Sequence, residues 1–589
     1  MKIVICTTPI RPVPTDYPPF GSLAVIQSLR DAGYQPLFYD IDGLRPSFSE
    51  VIETLRKESP DLIGISAVVS TAYGYVKKLC LELKKVLPNV KIVLGGNLAA
   101  SAELLHRFCG VDVCVVGEGE QVIVNLMRAY ERNGFSDDPA ELSKVPGITY
   151  LDSSGQMAFT GYEAAIPAED LCDPDYSILE KHSRIENFIT DPFERWDFAQ
   201  DPRSREPHRV GKRVALVTST KGCVARCTFC HRWDKGFRQV PPQKVIGRIR
   251  TLMERYNAGF VMFGDENFGS DLKALDELIE LLRPLDILWQ VGGVRARTID
   301  LDRLKRMRKA GCVALYYGFE TGSPKILKVM EKNLDLSHNL KAATATHEAE
   351  LFTVYQLVLG MPGETHETIS ETIDMVKKIT EFLPEPPYQY LSINYIQALP
   401  GTPVYEYARL KGLIGLRPED EDAYLTLISD IDAGDDTKFL NFTSVPYLTA
   451  QSWRPRILYE ATEHWYRVRS GWGRFLSASA TQQKGGDFKE YQKGGYFNRH
   501  SLQRHPMLLI LLSPIRWLPI GLWTLISVFR RTPAKIFFAH LWEWLTWGFR
   551  RRAGEEAEPR LSLRRVVKEL VPQPVSPREA AMLPLRAGR

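Results

Sequence analysis

Short apolar runs alternate with helical patterns in two separate blocks of this 589-residue chain, and that alternation limits its fold more than any other feature. The first block covers residues 1–140, with apolar runs at 2–6, 37–39, 62–66, 91–94 and 113–116. Strands that alternate with helices form parallel sheets with helices on both faces. We therefore predict an N-terminal doubly wound, Rossmann-like α/β domain.

The second block covers residues 211–430 and contains six apolar runs, at 214–218, 260–263, 287–291, 312–318, 352–358 and 390–396. Six strands with intervening helices predict a partial (β/α)6 TIM-like barrel, whose functional residues follow the C-terminal ends of the strands. Residues 141–210 are rich in proline and charge and show little periodicity, so we predict a connector there.

Three cysteines, Cys223, Cys227 and Cys230, lie close together just after the first barrel strand, in the string KGCVARCTFC. Three thiolates on one loop can hold three irons of a 4Fe-4S cluster and leave the fourth iron without a protein ligand. A zinc site or three buried cysteines are the alternatives. Zinc normally needs a fourth ligand, and the adjacent His231 is poorly placed to complete a tetrahedron.

The CxxxCxxC spacing, with Phe229 before the last cysteine, resembles the signature of radical S-adenosylmethionine (SAM) enzymes. In that family the open iron chelates the methionyl group of SAM, and one electron from the cluster cleaves SAM to a 5′-deoxyadenosyl radical. The resemblance implies an electron donor such as flavodoxin or ferredoxin. It also implies SAM-binding residues on the loops that follow the strands, at Phe229, Gly264, Asp265, Glu266, Arg295 and Glu320. The match at Arg295 is incomplete, because Arg297 stands where the family often carries an aspartate.

Loops that follow the strands of the first block carry glycine and small polar residues. They contain Pro19 after the first strand, Ser66 and Val68 after the third, Gly95, Gly96 and Asn97 after the fourth, and Gly117, Glu118 and Gly119 after the fifth. Glycine there lets the backbone approach a large planar or anionic ligand, although it is also ordinary turn chemistry. Together these loops resemble the cobalamin-binding domain of class B, methyltransferase-like radical SAM enzymes.

The better-known cobalamin domains place a histidine below the cobalt from a DxHxxG loop. This chain has no histidine before His106, which lies in a predicted helix, so its composition excludes such a ligand from this loop. The resemblance is therefore to members that bind cobalamin without a histidine ligand. A degenerate domain that binds no cobalamin stays open as an alternative.

A cluster, SAM and cobalamin together imply methylation of an unactivated carbon in a hydrophobic, lipid- or isoprenoid-like substrate or a secondary metabolite, which is an analogy with the family. Radical ring closure or rearrangement and methylthiotransfer are the alternatives, although the cysteines at 6, 80, 109 and 114 do not form a persuasive second-cluster set. A non-catalytic cobalamin sensor would leave the cluster motif unexplained. The net charge of +4 is too small to argue for nucleic acid.

The C-terminal region, 431–552, is predicted to be mainly helical and carries five tryptophans between 506 and 549, with basic residues beside them. That mixture favours segments that lie in a bilayer interface, and a buried helical cap or oligomer interface is the alternative. An odd number of cysteines and no recognisable signal peptide predict a cytoplasmic protein in peripheral membrane contact. Residues 553–589 are expected to be a disordered tail.

Overall fold

The computed structural model describes residues 1–230, 236–429, 438–469 and 511–550, together with Leu563 and Val567. The N-terminal sheet has seven strands in the spatial order β2-β1-β3-β4-β5-β6-β7. Its strands are β1 Ile3–Thr7, β2 Leu37–Tyr39, β3 Leu62–Ser66, β4 Lys91–Gly95, β5 Val113–Val115, β6 Ile148–Leu151 and β7 Met157–Phe159. Its helices are α1 Phe20–Asp31, α2 Ile41–Leu44, α3 Phe48–Glu58, α4 Tyr73–Val86, α5 Ala102–Leu104, α6 Gly119–Arg132 and α7 Pro139–Leu142.

The first five strands of this sheet are parallel, and the order reverses at β1, which lies between β2 and β3. Every residue of β1 is buried, as expected for a strand with helices on both faces. Ligands of such sheets bind beyond the carboxyl ends of the strands, next to the point where the order reverses. The predicted doubly wound domain is confirmed, and the edge of interest is the one where β1, β3, β4 and β5 end.

The segment predicted as a connector is a folded part of both halves of the chain. Strands β6 and β7 extend the first sheet in antiparallel pairing, and helices α8 Ser177–His182 and α9 Trp196–Gln200 follow. Arg203 Nη2 donates to the carbonyl of Cys312 at 2.7 Å, and Arg209 Nη2 lies 2.6 Å from Asp286 Oδ1. Both contacts lie where barrel strands begin. The periodicity was missed because these elements are only three to six residues long.

The second sheet has six parallel strands in the order β15-β14-β13-β12-β11-β8, which confirms the partial barrel. The strands are β8 Arg213–Val217, β11 Ala258–Phe263, β12 Leu288–Val294, β13 Cys312–Glu320, β14 Phe352–Leu359 and β15 Leu391–Tyr395, and a separate hairpin is formed by β9 Thr220–Gly222 and β10 Phe237–Gln239. The helices between them are α10 Pro242–Tyr256, α11 Leu272–Leu282, α12 Leu301–Lys309, α13 Pro324–Val329, α14 Leu336–Glu348 and α15 His366–Thr380.

The inner face of this half-barrel is packed on one side and open on the other. Phe198 of α9 is fully buried against inward residues of the first strands, including Leu216 and Phe260. On β14 and β15 the inward residues are half-buried or exposed, and Gln356 and Asn394 are among them. The open part of the barrel therefore lies against β13 to β15, where a substrate can enter.

The C-terminal region is helical in its described parts, with α16 Pro403–Leu410, α17 Pro418–Leu427, α18 Tyr447–Gln451, α19 Trp453–Arg469, α20 Trp517–Arg531 and α21 Ala534–Arg550. Helix α19 packs on α15 of the barrel. Among the described residues, none of the helices combines the length and the apolar character needed to cross a bilayer. Of the tail from 553 to 589, Leu563 and Val567 are helical and buried, and its other residues lie outside the described parts.

Candidate cofactor site between the two sheets

The three motif cysteines follow strand β9 on a loop that two other elements hold in place. Cys223 and Cys227 are half-buried and Cys230 is exposed. Thr228 is fully buried; its amide donates to the Met330 carbonyl at 2.9 Å and its hydroxyl donates to the Val329 carbonyl at 3.0 Å. These bonds anchor the loop to the end of α13.

Three thiols on one anchored, partly exposed loop are the donor chemistry that an iron–sulfur cluster needs. The backbone carbonyl of Thr228 also accepts from the amide of Val404, so a second helix supports the loop. Phe229 is partly buried and packs against a hydrophobic cluster. Within the described ranges, no three Cys, His, Asp or Glu side chains stand close enough together to hold a metal ion. His231 lies outside the described residues.

Cys227 lies in a pocket of charged side chains that the sequence predicted only in part. Lys332 Nζ lies 2.5 Å from Glu320 Oε1, and Arg295 Nη2 donates to the Lys332 carbonyl at 3.0 Å. Burial raises the pKa of the Cys227 thiol, and the charges of Lys332 and Arg295 oppose that rise. Burial alone would lower the pKa of Lys332, but Glu320 and Cys227 outweigh it and hold that pKa above its usual value.

Lys332 is a functional candidate that sequence reasoning missed. The available signal was Glu320 itself, a carboxylate at the end of a predicted barrel strand. In the structure it adopts a left-handed backbone conformation (φ 62°) and is 7% exposed. A buried carboxylate at a strand end needs a cation, and the next basic residues along the chain were the place to search. Arg295 and Glu320, predicted from separate strands to contact SAM, are thus brought together beside the cluster loop.

Asp265 was predicted to bind SAM, and in the structure its carboxylate has protein partners. It accepts from the amides of Ser219 and Thr220 at 2.8 and 2.6 Å, and from both of their hydroxyls at 2.8 Å. Burial raises its pKa, although these hydrogen bonds act in the opposite direction. Asp265 therefore ties the end of β11 to the start of the cluster hairpin.

The two neighbours of Asp265 differ in character. Gly264 accommodates a close approach, because a Cβ there would lie 2.9 Å from a methyl of Leu216. Glu266 is exposed at the C-terminal end of β11. A role for either residue in binding SAM remains a prediction.

The loops predicted to hold cobalamin lie together at the carboxyl edge of the first sheet. Ser66 is the last residue of β3 and Val68, which is 49% exposed, follows it; Gly95 ends the neighbouring strand β4, and Gly96 and Asn97 come next. Gly96 has φ +92°, and a Cβ there would lie 2.5 Å from the Ala67 carbonyl oxygen, so only glycine fits. Pro19 immediately precedes α1 at the same edge.

The fifth strand contributes the loop 117–119, in which Gly117 adopts φ +99°. The first histidine of the chain, His106, is buried away from this edge. Its two ring nitrogens lie 2.8 Å from the Val111 carbonyl and 3.0 Å from the Thr149 hydroxyl, and burial lowers its pKa. Its role is to fill the core.

Glu118 joins the cobalamin edge to the cluster hairpin. Its carboxylate accepts from Arg238 Nη1 at 3.0 Å, and Lys221 Nζ lies 3.4 Å from it and 3.0 Å from Glu120 Oε1. Burial acts to raise the pKa of Glu118, but the Arg238 hydrogen bond and the Lys221 charge outweigh it, so this pKa is lowered. Glu118 was predicted to contact cobalamin; its side chain is committed to the hairpin that carries the cysteines.

Comparisons with known proteins agree with this geometry. Residues 7–127 match the B12 binding domain, and residues 217–376 match the Radical SAM superfamily. The chain belongs to the radical SAM proteins that carry an N-terminal B12-binding domain, as the sequence predicted. The predicted cofactor set of a 4Fe-4S cluster, SAM and cobalamin is confirmed at the level of these two domains.

Relatives include both cyclases and methyltransferases. The chain is 30% identical over 373 residues to the anaerobic magnesium-protoporphyrin IX monomethyl ester cyclase of Cereibacter sphaeroides, covering 61% of this chain and 56% of the cyclase. It thus spans little more than half of the length of that relative. An uncharacterised methyltransferase of Pyrococcus horikoshii is 25% identical over 430 residues, which cover 70% of this chain and 84% of that protein.

The fold is also similar to that of a solved structure. The cobalamin-dependent SAM radical enzyme OxsB, with aqua-cobalamin and SAM bound, superposes with a TM-score of 0.56 at 14% identity, covering 100% of this chain and 83% of OxsB. At this identity the likeness concerns the fold alone. It agrees with the two-sheet arrangement described above.

Proposed function

We propose that this cobalamin-dependent radical SAM enzyme methylates an unactivated carbon of a hydrophobic or secondary-metabolite substrate. The observation that carries the proposal is the contact of Glu118 with Arg238 and Lys221. It holds the ligand edge of the first sheet against the hairpin that carries the cysteines, so the two predicted cofactor sites would lie next to each other. When bound, the cluster and SAM supply hydrogen abstraction from carbon, and cobalamin supplies a transferable methyl group.

The chain's own residues position and shield these groups. Cys223, Cys227 and Cys230 are the thiols that would hold the cluster. Glu320 and Lys332 form a buried ion pair beside them, which would face the polar parts of SAM. A one-electron donor such as flavodoxin or ferredoxin belongs to this proposal, and it would reach the cluster from the exposed side of Cys230.

The open side of the barrel favours a substrate whose reacting part is uncharged. Among the described residues, the inward positions of β13 to β15 before Glu320 are apolar or neutral. They include Tyr316, Val354, Gln356, Ser392 and Asn394. A charged group placed there would lack an oppositely charged partner on these strands, which is costly away from water.

Ring closure or rearrangement by the same radical chemistry is the second candidate, and the 30% identity to a cyclase is the observation that favours it. Methylthiotransfer has weaker support. Cys6, Cys80, Cys109 and Cys114 are all fully buried in the core of the first sheet, and burial raises the pKa of each thiol. Such thiols behave as core side chains.

The test is anaerobic reconstitution with iron, sulfide and hydroxocobalamin, followed by SAM carrying a labelled methyl group and a reductant. We expect 5′-deoxyadenosine from wild type and none from Cys227→Ala, while Cys172→Ala, outside the motif, serves as the matched control. Labelled methyl in a lipid-extract product supports methylation. A product without the label, formed with the same 5′-deoxyadenosine, would favour the cyclase alternative.

A further inference from the structure

Helix α20 is apolar on two opposite sides, and the described residues of the chain cover only one of them. Ile520, Thr524 and Val528 repeat every four residues and are 8%, 3% and 1% exposed. The opposite stripe remains in contact with solvent, at Leu518 (44% exposed), Leu522 (51%), Ile526 (46%) and Phe529 (52%). One stripe is enough to attach a surface helix, so the second needs another explanation.

Helix α21 repeats this arrangement. Phe537 is 7% exposed and contacts the ring of Phe529, which holds the two helices together. Phe538, Trp542 and Leu545 follow the i, i+4, i+7 spacing of one helix face and are 58%, 63% and 55% exposed. We call these three residues and the exposed stripe of α20 the hairpin face.

The hairpin face carries seven large apolar side chains on two helices that contact each other, and each side chain is about half exposed. Together they expose on the order of 1,000 Å², and the largest apolar patch on a typical monomer is about 300–600 Å². A patch of this size normally marks a binding surface.

Charge indicates what the hairpin face binds. Residues 511–547 contain four basic residues and one acidic residue, a net charge of +3. Three of the basic residues, Arg530, Arg531 and Lys535, lie at the turn between the helices and are exposed. Apolar and tryptophan side chains beside exposed cations match the acyl boundary and the anionic headgroups of a bilayer.

We propose that the hairpin face docks on an anionic phospholipid membrane with both helices in the interface plane. At 1.5 Å per residue the helices are about 23 and 26 Å long, below the ~30 Å of a hydrocarbon core, and each has one side packed on the protein. One-sided insertion is therefore the contact that they can make. This surface goes beyond the proposed reaction and is measured without it.

The experiment is flotation of the reconstituted full-length protein with vesicles of phosphatidylcholine alone, or with phosphatidylglycerol added. We expect stronger binding to the anionic vesicles, weakened by salt. Ile526→Glu should lower partitioning about tenfold, because it replaces an apolar side chain that the lipid would bury with a carboxylate. Arg530→Gln should lower it about fivefold on anionic vesicles alone.

Leu416→Glu is the matched control, because Leu416 is a comparably exposed leucine (56%) outside the hairpin. Retained 5′-deoxyadenosine formation by Ile526→Glu in the absence of vesicles shows that the variant is folded. Absence of vesicle binding by wild type, or equal loss in Leu416→Glu, would overturn the proposal. A wild-type dimer that Ile526→Glu dissociates, without vesicle binding, would assign the face to a second copy of the chain. Vesicle binding with no methylated product would contradict the proposed reaction and leave the membrane proposal intact.

Discussion

Arg238 and Glu118 form an ion pair across the junction of the two sheets, with Nη1 of the arginine 3.0 Å from Oε2 of the glutamate. The residues are 120 positions apart in the chain. The glutamate follows β5 at the ligand edge of the first sheet, and the arginine lies on the hairpin that leads into and out of the cysteine loop. Their contact links the cobalamin-binding domain to the radical SAM domain through side chains that are 9% and 13% exposed.

Glu118→Gln is expected to loosen this junction. Truncating one charge of a buried pair leaves the other uncompensated, at a cost of about 3 kcal/mol. The pKa of Glu118 is lowered from its usual 4.5, so its stabilising contribution is present above pH 4.5 and is lost as the pH falls through the lowered value. Urea unfolding of wild type and variant at pH 7 and pH 4 measures both effects.

Glu180→Gln is the control for that comparison, because its partner Arg255 is 45% exposed and a surface pair contributes at most about 1 kcal/mol. Equal destabilisation by the two substitutions would contradict the role given to Glu118.

Lys332→Met removes the cation beside Cys227 and Glu320. Residues that support a metal-ligand shell commonly cost 10–100-fold in activity when they are replaced, so we expect a loss of about that size in 5′-deoxyadenosine formation. Lys328→Met, on the exposed side of α13, should leave the rate unchanged. Lys332→Met also leaves the buried Glu320 carboxylate without its cation, which should lower the free energy of unfolding. Adding Glu320→Gln to Lys332→Met removes that carboxylate and should restore part of this stability. A further loss of stability in the double variant would argue that Lys332 does not act by neutralising Glu320.

Gly96→Ala is expected to abolish cobalamin retention. An alanine there would adopt φ +92° and place its Cβ 2.5 Å from the Ala67 backbone, so the loop between β3 and β4 would have to move. Gly247→Ala is the comparison, because no atom lies within 4 Å of a Cβ at that position in α10. The absorbance of bound cobalamin after gel filtration separates the two variants, and full retention by Gly96→Ala would show that the loop does not hold the cofactor.

Because of Glu364, the free energy of unfolding should fall as the pH rises. Burial raises its pKa from 4.5 to about 8, so the folded state holds a proton that the unfolded chain releases. Folding therefore becomes less favourable between pH 4.5 and about 8, by at most about 1.4 kcal/mol per pH unit. Glu364→Gln removes this dependence, and its melting temperature relative to wild type should rise across that range. Parallel pH profiles for the two proteins would contradict the assignment.

Local patterns predicted the two sheets well. The strand runs expected at 62–66 and 37–39 match β3 and β2 in full, and the six barrel strands lie within a few residues of their predicted positions. Parallel strands with helices on both faces are nearly continuous apolar runs, so short sequence windows are sufficient to find them. Strands β6 and β7 were missed because they are only four and three residues long, which is too short to carry that signal.

Side-chain partners were harder to predict. Asp265 and Glu118 were assigned to SAM and cobalamin because carboxylates and glycine loops at strand ends commonly bind ligands. Their observed partners, Ser219 with Thr220 and Lys221 with Arg238, all belong to the segment around the cysteines. Nothing in the loop residues themselves distinguishes a carboxylate that faces a ligand from one that holds two loops together.

The amino-acid order determined which chemistry is available: the spacing of three cysteines, the glycine at position 96 and the absence of histidine before position 106 are all local facts. The tertiary structure decided which of these residues lie next to each other. It brought Lys332 to Cys227, Arg238 to Glu118, and a second apolar stripe of α20 to the surface. These relationships join residues distant in sequence or depend on which side of a helix is covered, and both follow from packing of the whole chain, which local periodicity does not encode.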